Sequence, residues 1–396
     1  MDDKPLCLLA LGQQYGSSLA TITRVANSCL DGGGIRGLSE LLILEEVMGR
    51  IKHDLDMADD PLPADFFDLI GGTSTGGLIA LLLGRVRLSV PEARKEYEIF
   101  SVKTYLKSSK FDSWTLEKAV KSLLGRRLGN GEKRMLDRSK SSCKVFVCAV
   151  PQQDVRSRNG PRLFRTYTIR NNPTFNCTIW EACRATSAAP TYFDPIEIGE
   201  EWEREAFVDA GLGYNNPIEQ VLEEARLVFP GRRIACIVSI GTGLARVLKF
   251  PPSPRTNPLK LIEALKTMAT ESDTTAERVQ KRFQNIKDTY LRFSVDRGLN
   301  DIKLEEWENL GEVRTYTTGY LEQDTVSSCI DTVVVALLAS KAGQGQGEST
   351  TQAQISGSQS VEMGGSQRQP QMMRWRPDRP IPSFPLRIEA IADTST

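Results

Sequence analysis

Residues 66–77 read FFDLIGGTSTGG, and this phrase constrains the fold more than any other stretch of the chain. An apolar run that stops at Gly71-Gly72 and resumes after Gly76-Gly77 is a short buried strand turning sharply into a buried helix, GGLIALLLGRV. Inside the turn, Gly72-Thr73-Ser74-Thr75-Gly76 has the spelling Gly-x-Ser-x-Gly. A serine at such a corner needs small residues two places before and after it, because neighbouring Cβ atoms would collide. Read in this way, Ser74 is a nucleophile presented at the end of a sheet. A plain strand–turn–helix junction with a passive serine uses the same glycines, and the pattern alone leaves both readings open.

A second glycine phrase, DGGGIRG (31–37), leads into a helix whose apolar stripe is Leu38, Leu41, Leu42, Leu44, Met48 and Ile51. Three successive glycines leave backbone N–H groups free to point at an anion, reinforced by the positive end of the helix. Three readings compete. The spelling fits the dinucleotide fingerprint G-x-G-x-x-G, but that needs a firm strand before it and a second strand after the helix. Here VANSCL is a poor strand, and KHDLDMADDPLPAD follows the helix. A P-loop is excluded by the missing Gly-Lys-Ser/Thr. The third reading is an oxyanion hole, in which the amides of Gly32, Gly33 and Gly34 face charge developing on a carbonyl oxygen.

A serine nucleophile normally borrows a histidine, and the chain has one, His53. It sits at the far end of the helix after the glycine loop, roughly 25 Å away at ~1.5 Å rise per residue. It shares the solvated face with Glu46, Gly49 and Arg50. A carboxylate must then take the serine proton. FVDAGLGYNNP (207–217) delivers one, with an apolar strand carrying Asp209 into a Gly-rich turn. An ordinary turn aspartate bonding nearby N–H groups is the alternative.

Strand-like and helix-like segments alternate from 25 to about 250, including KVFVCAV (144–150), RTYTIR (165–170), EAFVDAGL (205–212) and RRIACIVSIGTG (232–243). Asn216-Pro217 opens a further helix. Alternation of this kind implies a sheet covered by helices on both faces. The expected organisation is a loose arm at 1–24, an α/β domain at 25–250, a mainly helical extension at 251–340 and a low-complexity, disordered tail at 341–396. YLRFSV (290–295) reads as a strand within the extension. Fifty basic residues balance fifty acidic ones, which argues against nucleic acid while leaving a lipid surface open. The eight cysteines form no C-x-x-C pair and no zinc spacing, so reduced, mostly buried thiols and a cytoplasmic setting are expected. The N-terminus lacks the apolar run of a secretory signal, and LIALLLG and TVVVALLA fall short of the ~20 residues of a membrane span. No transmembrane segment is expected.

DGGGIRG, GTSTG and an aspartate turn, in that order, resemble the patatin-like phospholipase family. WEACRATSAAPTYF (180–193), GLGYNNP (211–217) and SIGTG (239–243) are also similar to stretches of patatin domains, most closely the fungal ones. The likeness covers about residues 25–250, with weaker continuation to 340. It implies a three-layer α/β/α fold with a central, mostly parallel sheet and a nucleophile elbow. It also implies a lipid acyl hydrolase with Ser74 as nucleophile, Asp209 as general base, the Gly32-Gly33-Gly34 amides as oxyanion hole, and no metal or other cofactor. The implied substrate is a lipid at a membrane surface, where the protein would sit peripherally. Arg36 is a candidate for orienting the loop or a head-group phosphate, with a surface salt bridge as the alternative. Two departures from the family spelling carry expectations of their own. Ala210 stands where the family has glycine, and its Cβ disfavours positive φ, which would disturb the aim of Asp209. Asn27-Ser28 interrupt the first strand and would weaken it. Both favour the alternative function, an inactive domain that binds lipid or a partner.

Overall fold

The computed structural model describes residues 25–105, 112–139, 143–154, 160–169, 176–190, 192–243, 272–299, 302 and 306–349. The loose arm at 1–24 and the tail beyond 349 lie outside the described residues. Eight strands form one sheet: β1 (Val25–Leu30), β2 (Leu69–Thr73), β3 (Lys144–Pro151), β4 (Arg162–Arg165), β5 (Ile196–Ile198), β6 (Glu205–Asp209), β7 (Ile234–Gly241) and β8 (Tyr290–Ser294). Their order is β5-β6-β3-β2-β1-β7-β8, with β4 also pairing β3. Pairing is parallel from β3 through β8 and antiparallel where β3 meets β4 and β6, and where β5 meets β6.

The ten α-helices are α1 (Leu38–Asp54), α2 (Thr75–Ala80), α3 (Val90–Tyr105), α4 (Ser113–Leu128), α5 (Ile179–Thr186), α6 (Gly211–Tyr214), α7 (Ile218–Val228), α8 (272–283), α9 (Leu310–Leu321) and α10 (Asp324–Ser349), counted among the described residues. Alternate residues of β1 enter two apolar clusters, one on each face of the sheet. Val25 and Cys29 pack with Ile218 and Val221 of α7 and Val279 and Phe283 of α8. Ala26 and Leu30 join the larger cluster with Leu41 and Leu44 of α1 and Ile330 and Val333 of α10. Strands buried on both faces, as the middle of a parallel sheet requires, need not show period-two alternation. The result is a three-layer α/β/α architecture around a mostly parallel sheet.

VANSCL is a six-residue strand at the centre of the sheet with every residue buried, its register with β7 shifting once, between Val25 and Ala26. Two neighbours saturate its backbone, Asn27 pairing with Leu69 on one side and Ile237 on the other. Asp68 adds a clamp, donating its N–H to the Ala26 carbonyl at 2.8 Å and accepting the Ala26 N–H on Oδ2 at 3.0 Å. Tertiary pairing outweighs the low strand propensity of Asn and Ser. The strand expected at 165–170 ends at Arg165, because the following residues turn inward to a buried polar knot. Arg165 Nε and Nη2 each donate to Glu224 of α7 at 2.7 Å, and Tyr167 Oη donates to Glu224 at 2.6 Å. Removing one partner of a buried ion pair strands the other, so Glu224→Ala should lose about 3–5 kcal/mol of stability. Urea denaturation checks this, and a loss below ~1 kcal/mol contradicts it.

The low-complexity segment expected from 341 begins inside α10, which runs to Ser349. Over Asp324–Ala342 this helix is long and apolar enough to cross a membrane by composition, where only short apolar runs were expected. Its Ile330, Val333 and Leu337 are fully buried against the domain. Of the described cysteines, six are buried and free, and Cys329 is exposed.

Candidate active site

The elbow forms where β2 passes into α2. Ser74 has φ 55° and ψ −123°, a strained backbone for a residue with a side chain. Its flanking glycines are there because backbone passes too close for a Cβ. One added at Gly72 would lie 2.3 Å from the Gly76 carbonyl, and one at Gly76 would lie 2.4 Å from the Asp31 carbonyl. The strain is held by hydrogen bonds from outside the turn. Ser74 N–H donates to Thr186 Oγ1 of α5 at 2.9 Å, and Thr186 donates in turn to the Cys148 carbonyl at 2.7 Å.

Asp209 ends β6, which runs antiparallel to β3 and so brings its last residue beside the elbow. Ser74 Oγ donates to Asp209 Oδ2 at 2.5 Å, and Gly211 N–H donates to Oδ1 at 2.8 Å. The carboxyl is almost fully buried. Burial pushes its pKa up to about 7, with the Ser74 and Gly211 hydrogen bonds opposing the rise. No described cation contributes to that balance. Ala210 takes φ −76° and ψ −2°, an ordinary right-handed conformation. The expectation that its Cβ would disturb Asp209 therefore falls away, since the turn here does not call for positive φ.

The glycine triplet divides. Gly32 N–H donates to the Asn215 carbonyl at 3.2 Å, while its own carbonyl accepts from Asn215 Nδ2 at 3.1 Å and Thr242 Oγ1 at 3.0 Å. The expectation that all three amides serve one oxyanion is corrected at Gly32, whose donor is spent on the scaffold. The Gly33 and Gly34 N–H groups donate to no described group, and both residues line the cavity that also contains Ser74 and Asp209. Gly34, at φ 57°, starts the 3-10 turn that becomes α1. Its carbonyl is held by Tyr97 Oη at 2.6 Å and Thr75 Oγ1 at 3.1 Å. The cavity, about 110 Å³, is walled by apolar side chains including Ile35, Leu78, Phe100, Leu116 and Phe193.

Arg36 is neither a head-group ligand exposed to the cavity nor part of a surface salt bridge. It is buried, its Nε donates to the Gly33 carbonyl at 3.4 Å, and it does not line the cavity. Burial pushes its guanidinium down to about 10, with Tyr192 and Tyr97 opposing the shift. Of the two roles read from sequence, the geometry fits support of the loop. His53 lies outside the site, its side chain 82% exposed and its nearest ionic contact Asp54 at 3.3 Å.

Sequence reasoning did not single out Asn215, Thr186 or Thr242. Asn215 and Thr242 fall in GLGYNNP and SIGTG, phrases noticed only as wholes. Asn216-Pro217 stands just ahead of α7, which begins at Ile218. Pro217 occupies the cap position, while Asn216 Oδ1 accepts the Ile218 N–H at 3.2 Å.

Residues 29–222 match the profile of the family described as patatin-like phospholipase. Among similar proteins is calcium-independent phospholipase A2-gamma of Oryctolagus cuniculus, 29% identical over 322 residues, covering 74% of this chain and 38% of the relative. Patatin-like protein 2 of Arabidopsis thaliana is 30% identical over 206 residues, covering 48% of this chain and 49% of the relative. The solved structure of human GIVD cytosolic phospholipase A2 aligns with a TM-score of 0.38 at 10% identity, covering 81% of this chain and 61% of that one. The chain spans 28–38% of the length of the phospholipase A2-gamma relatives it matches. The matched span takes in the glycine loop, the elbow and Asp209 together, and over residues 29–222 the chain carries a patatin-like phospholipase domain.

Proposed function

We propose that the chain is a serine lipid acyl hydrolase of the phospholipase A type, cleaving fatty-acyl esters of phospholipids or related lipids. The observation that carries this reading is the 2.5 Å hydrogen bond from a strained Ser74 to a buried, uncompensated Asp209. Ser74 Oγ attacks the acyl carbonyl carbon as its proton passes to Asp209 Oδ2. The carbonyl oxygen becomes an oxyanion facing the Gly33 and Gly34 N–H groups at the head of α1. Collapse of the tetrahedral intermediate breaks the ester C–O bond, and the leaving alkoxide takes the proton back from Asp209. Water then attacks the acyl-enzyme, giving its proton to Asp209, and Ser74 regains a proton as the fatty acid leaves. The apolar cavity beside Ser74 suits an acyl chain. The names of the phospholipase A2-gamma relatives support a lipid substrate.

Labelling with a fluorophosphonate, followed by mapping of the modified residue, tests the nucleophile. Label on Ser74, with turnover faster on micellar than on monomeric phospholipid, is the expected result. Ester turnover with no label on Ser74 contradicts the assignment.

The pH profile is a further prediction. Asp209 accepts a proton only when ionised, so kcat/KM should be low in acid and rise with an apparent pKa near about 7. An acid limb centred near the ordinary aspartate value of ~3.9 would show that burial does not raise the Asp209 carboxyl in the working enzyme.

A further inference from the structure

The phrase SIGTG (239–243) and the strand β8 have no part in the steps above, and both lie beyond the family match at 29–222. They meet behind the glycine loop. Asp31, which leads from β1 into that loop, is 2% exposed. Its N–H donates to the Ile240 carbonyl at 3.1 Å and to Glu40 Oε1 at 2.8 Å. Its carbonyl accepts the Gly76 N–H of the elbow at 3.1 Å. One residue therefore joins the oxyanion loop, the elbow helix and the sheet.

The side chain of Asp31 is held by Arg292 of β8. Arg292 Nη1 donates to Oδ1 at 3.0 Å and Nη2 to Oδ2 at 2.5 Å, a two-point fork. Strand β7 lies between β1 and β8, so the guanidinium must cross it. Ser239 and Gly241 of β7 provide the crossing. Ser239 Oγ accepts from Arg292 Nη1 at 2.9 Å, and a Cβ on Gly241 would stand 2.4 Å from Nη2. Thr242, next in the phrase, donates to the Gly32 carbonyl. Each of these residues has a task if the phrase is a bracket for the loop.

Resting on the acyl-hydrolase reading, we infer that Arg292 is a positioning residue: by gripping Asp31 across β7 it fixes the direction of the Gly33 and Gly34 amides relative to Ser74. Oxyanion donors act only when they are preorganised, and a misplacement of about 1 Å lowers the rate on the order of 100-fold. A planar fork fixes the orientation of a carboxylate, whereas a lysine ammonium supplies charge without that geometry. Arg292 touches no reacting atom in this scheme and acts through Asp31.

The test measures kcat and KM on a monomeric short-chain ester for wild type, Arg292→Gln, Arg292→Lys and Gly241→Ala, with a melting curve for each. Affinity is measured for a trifluoromethyl ketone, whose hydrate or serine adduct mimics the tetrahedral state, and for a non-hydrolysable ether analogue of the substrate. Arg292→Gln and Gly241→Ala should lower kcat about 10- to 100-fold with KM changed less than about 3-fold. The ketone should weaken in parallel while the ether does not, and Arg292→Lys should recover part of the loss. Gly241→Ala leaves both charges in place while its Cβ crowds the guanidinium and, less closely, Ser294 Oγ at 3.0 Å, so it decides the matter if Arg292→Gln does not fold. Folded variants with wild-type kcat, or equal losses for ketone and ether, would overturn the role of Arg292 while leaving an active, Ser74-labelled wild type intact. A wild type that neither turns over ester nor takes label at Ser74 would instead overturn the hydrolase reading, and this inference with it.

Discussion

Ser74→Ala is expected to lower kcat for ester hydrolysis by about 10⁴-fold or more, with little change in melting temperature. The loss is large because no other described hydroxyl pairs with Asp209, and the amide donors cannot act on a carbonyl that is not attacked. The fold should tolerate the change, since alanine meets the same φ of 55° that serine already accepts. Ser74→Gly separates the two roles further. It removes the nucleophile and also relieves backbone strain worth on the order of 1–3 kcal/mol, so it should be as inactive as Ser74→Ala and melt higher. Activity above a few per cent of wild type in either folded variant would place the nucleophile elsewhere.

Asp209→Asn should lose nearly all activity, and His53→Ala should keep a near-normal kcat. The aspartate is the only titratable group hydrogen-bonded to Ser74 among the described residues, whereas the imidazole stands in solvent on the far end of α1. A stability measurement adds a check that activity alone lacks. The folded pKa of Asp209 is raised from 3.8 to about 7, so the native state holds this proton more tightly than the unfolded chain. The wild type should therefore lose stability as pH rises through that window, and more of it the further the pH climbs towards 7. Asparagine carries no such charge. Asp209→Asn should melt at or above wild type at pH 8, with the difference shrinking towards pH 4. A variant that is less stable at pH 8 would show that the carboxylate is compensated in the fold. An inactive but folded His53→Ala protein would remove the dyad altogether.

Much of this site could be read from sequence because its parts are local. The elbow is a short-range packing problem: Gly72 and Gly76 are four residues apart, and the collision a Cβ would make at Gly72 is with the backbone of Gly76 itself. The strand end at Asp209 and the helix stripe that excludes His53 are likewise set by neighbours within a few turns of chain. Where the reading failed, the deciding contact came from far away. VANSCL looked too polar for a strand, and β2 and β7 on either side make it one. Ala210 looked like a fault only on the assumption that its turn needs positive φ.

The sequence by itself determined the order of the candidate groups: a glycine loop, a serine at a corner, an aspartate at a strand end, and a single histidine at the far end of a helix. Backbone clashes and periodicity are local physics, and they leave their mark in local spelling. Only the tertiary structure decided which of those groups are free to act. The Gly32 amide is spent on Asn215, Arg36 is buried under the loop, and Asp31 is gripped by Arg292 from the far side of β7. Hydrogen-bond satisfaction and desolvation depend on what the folded chain brings within about 3 Å, and residues separated by hundreds of positions carry no trace of that in their spacing.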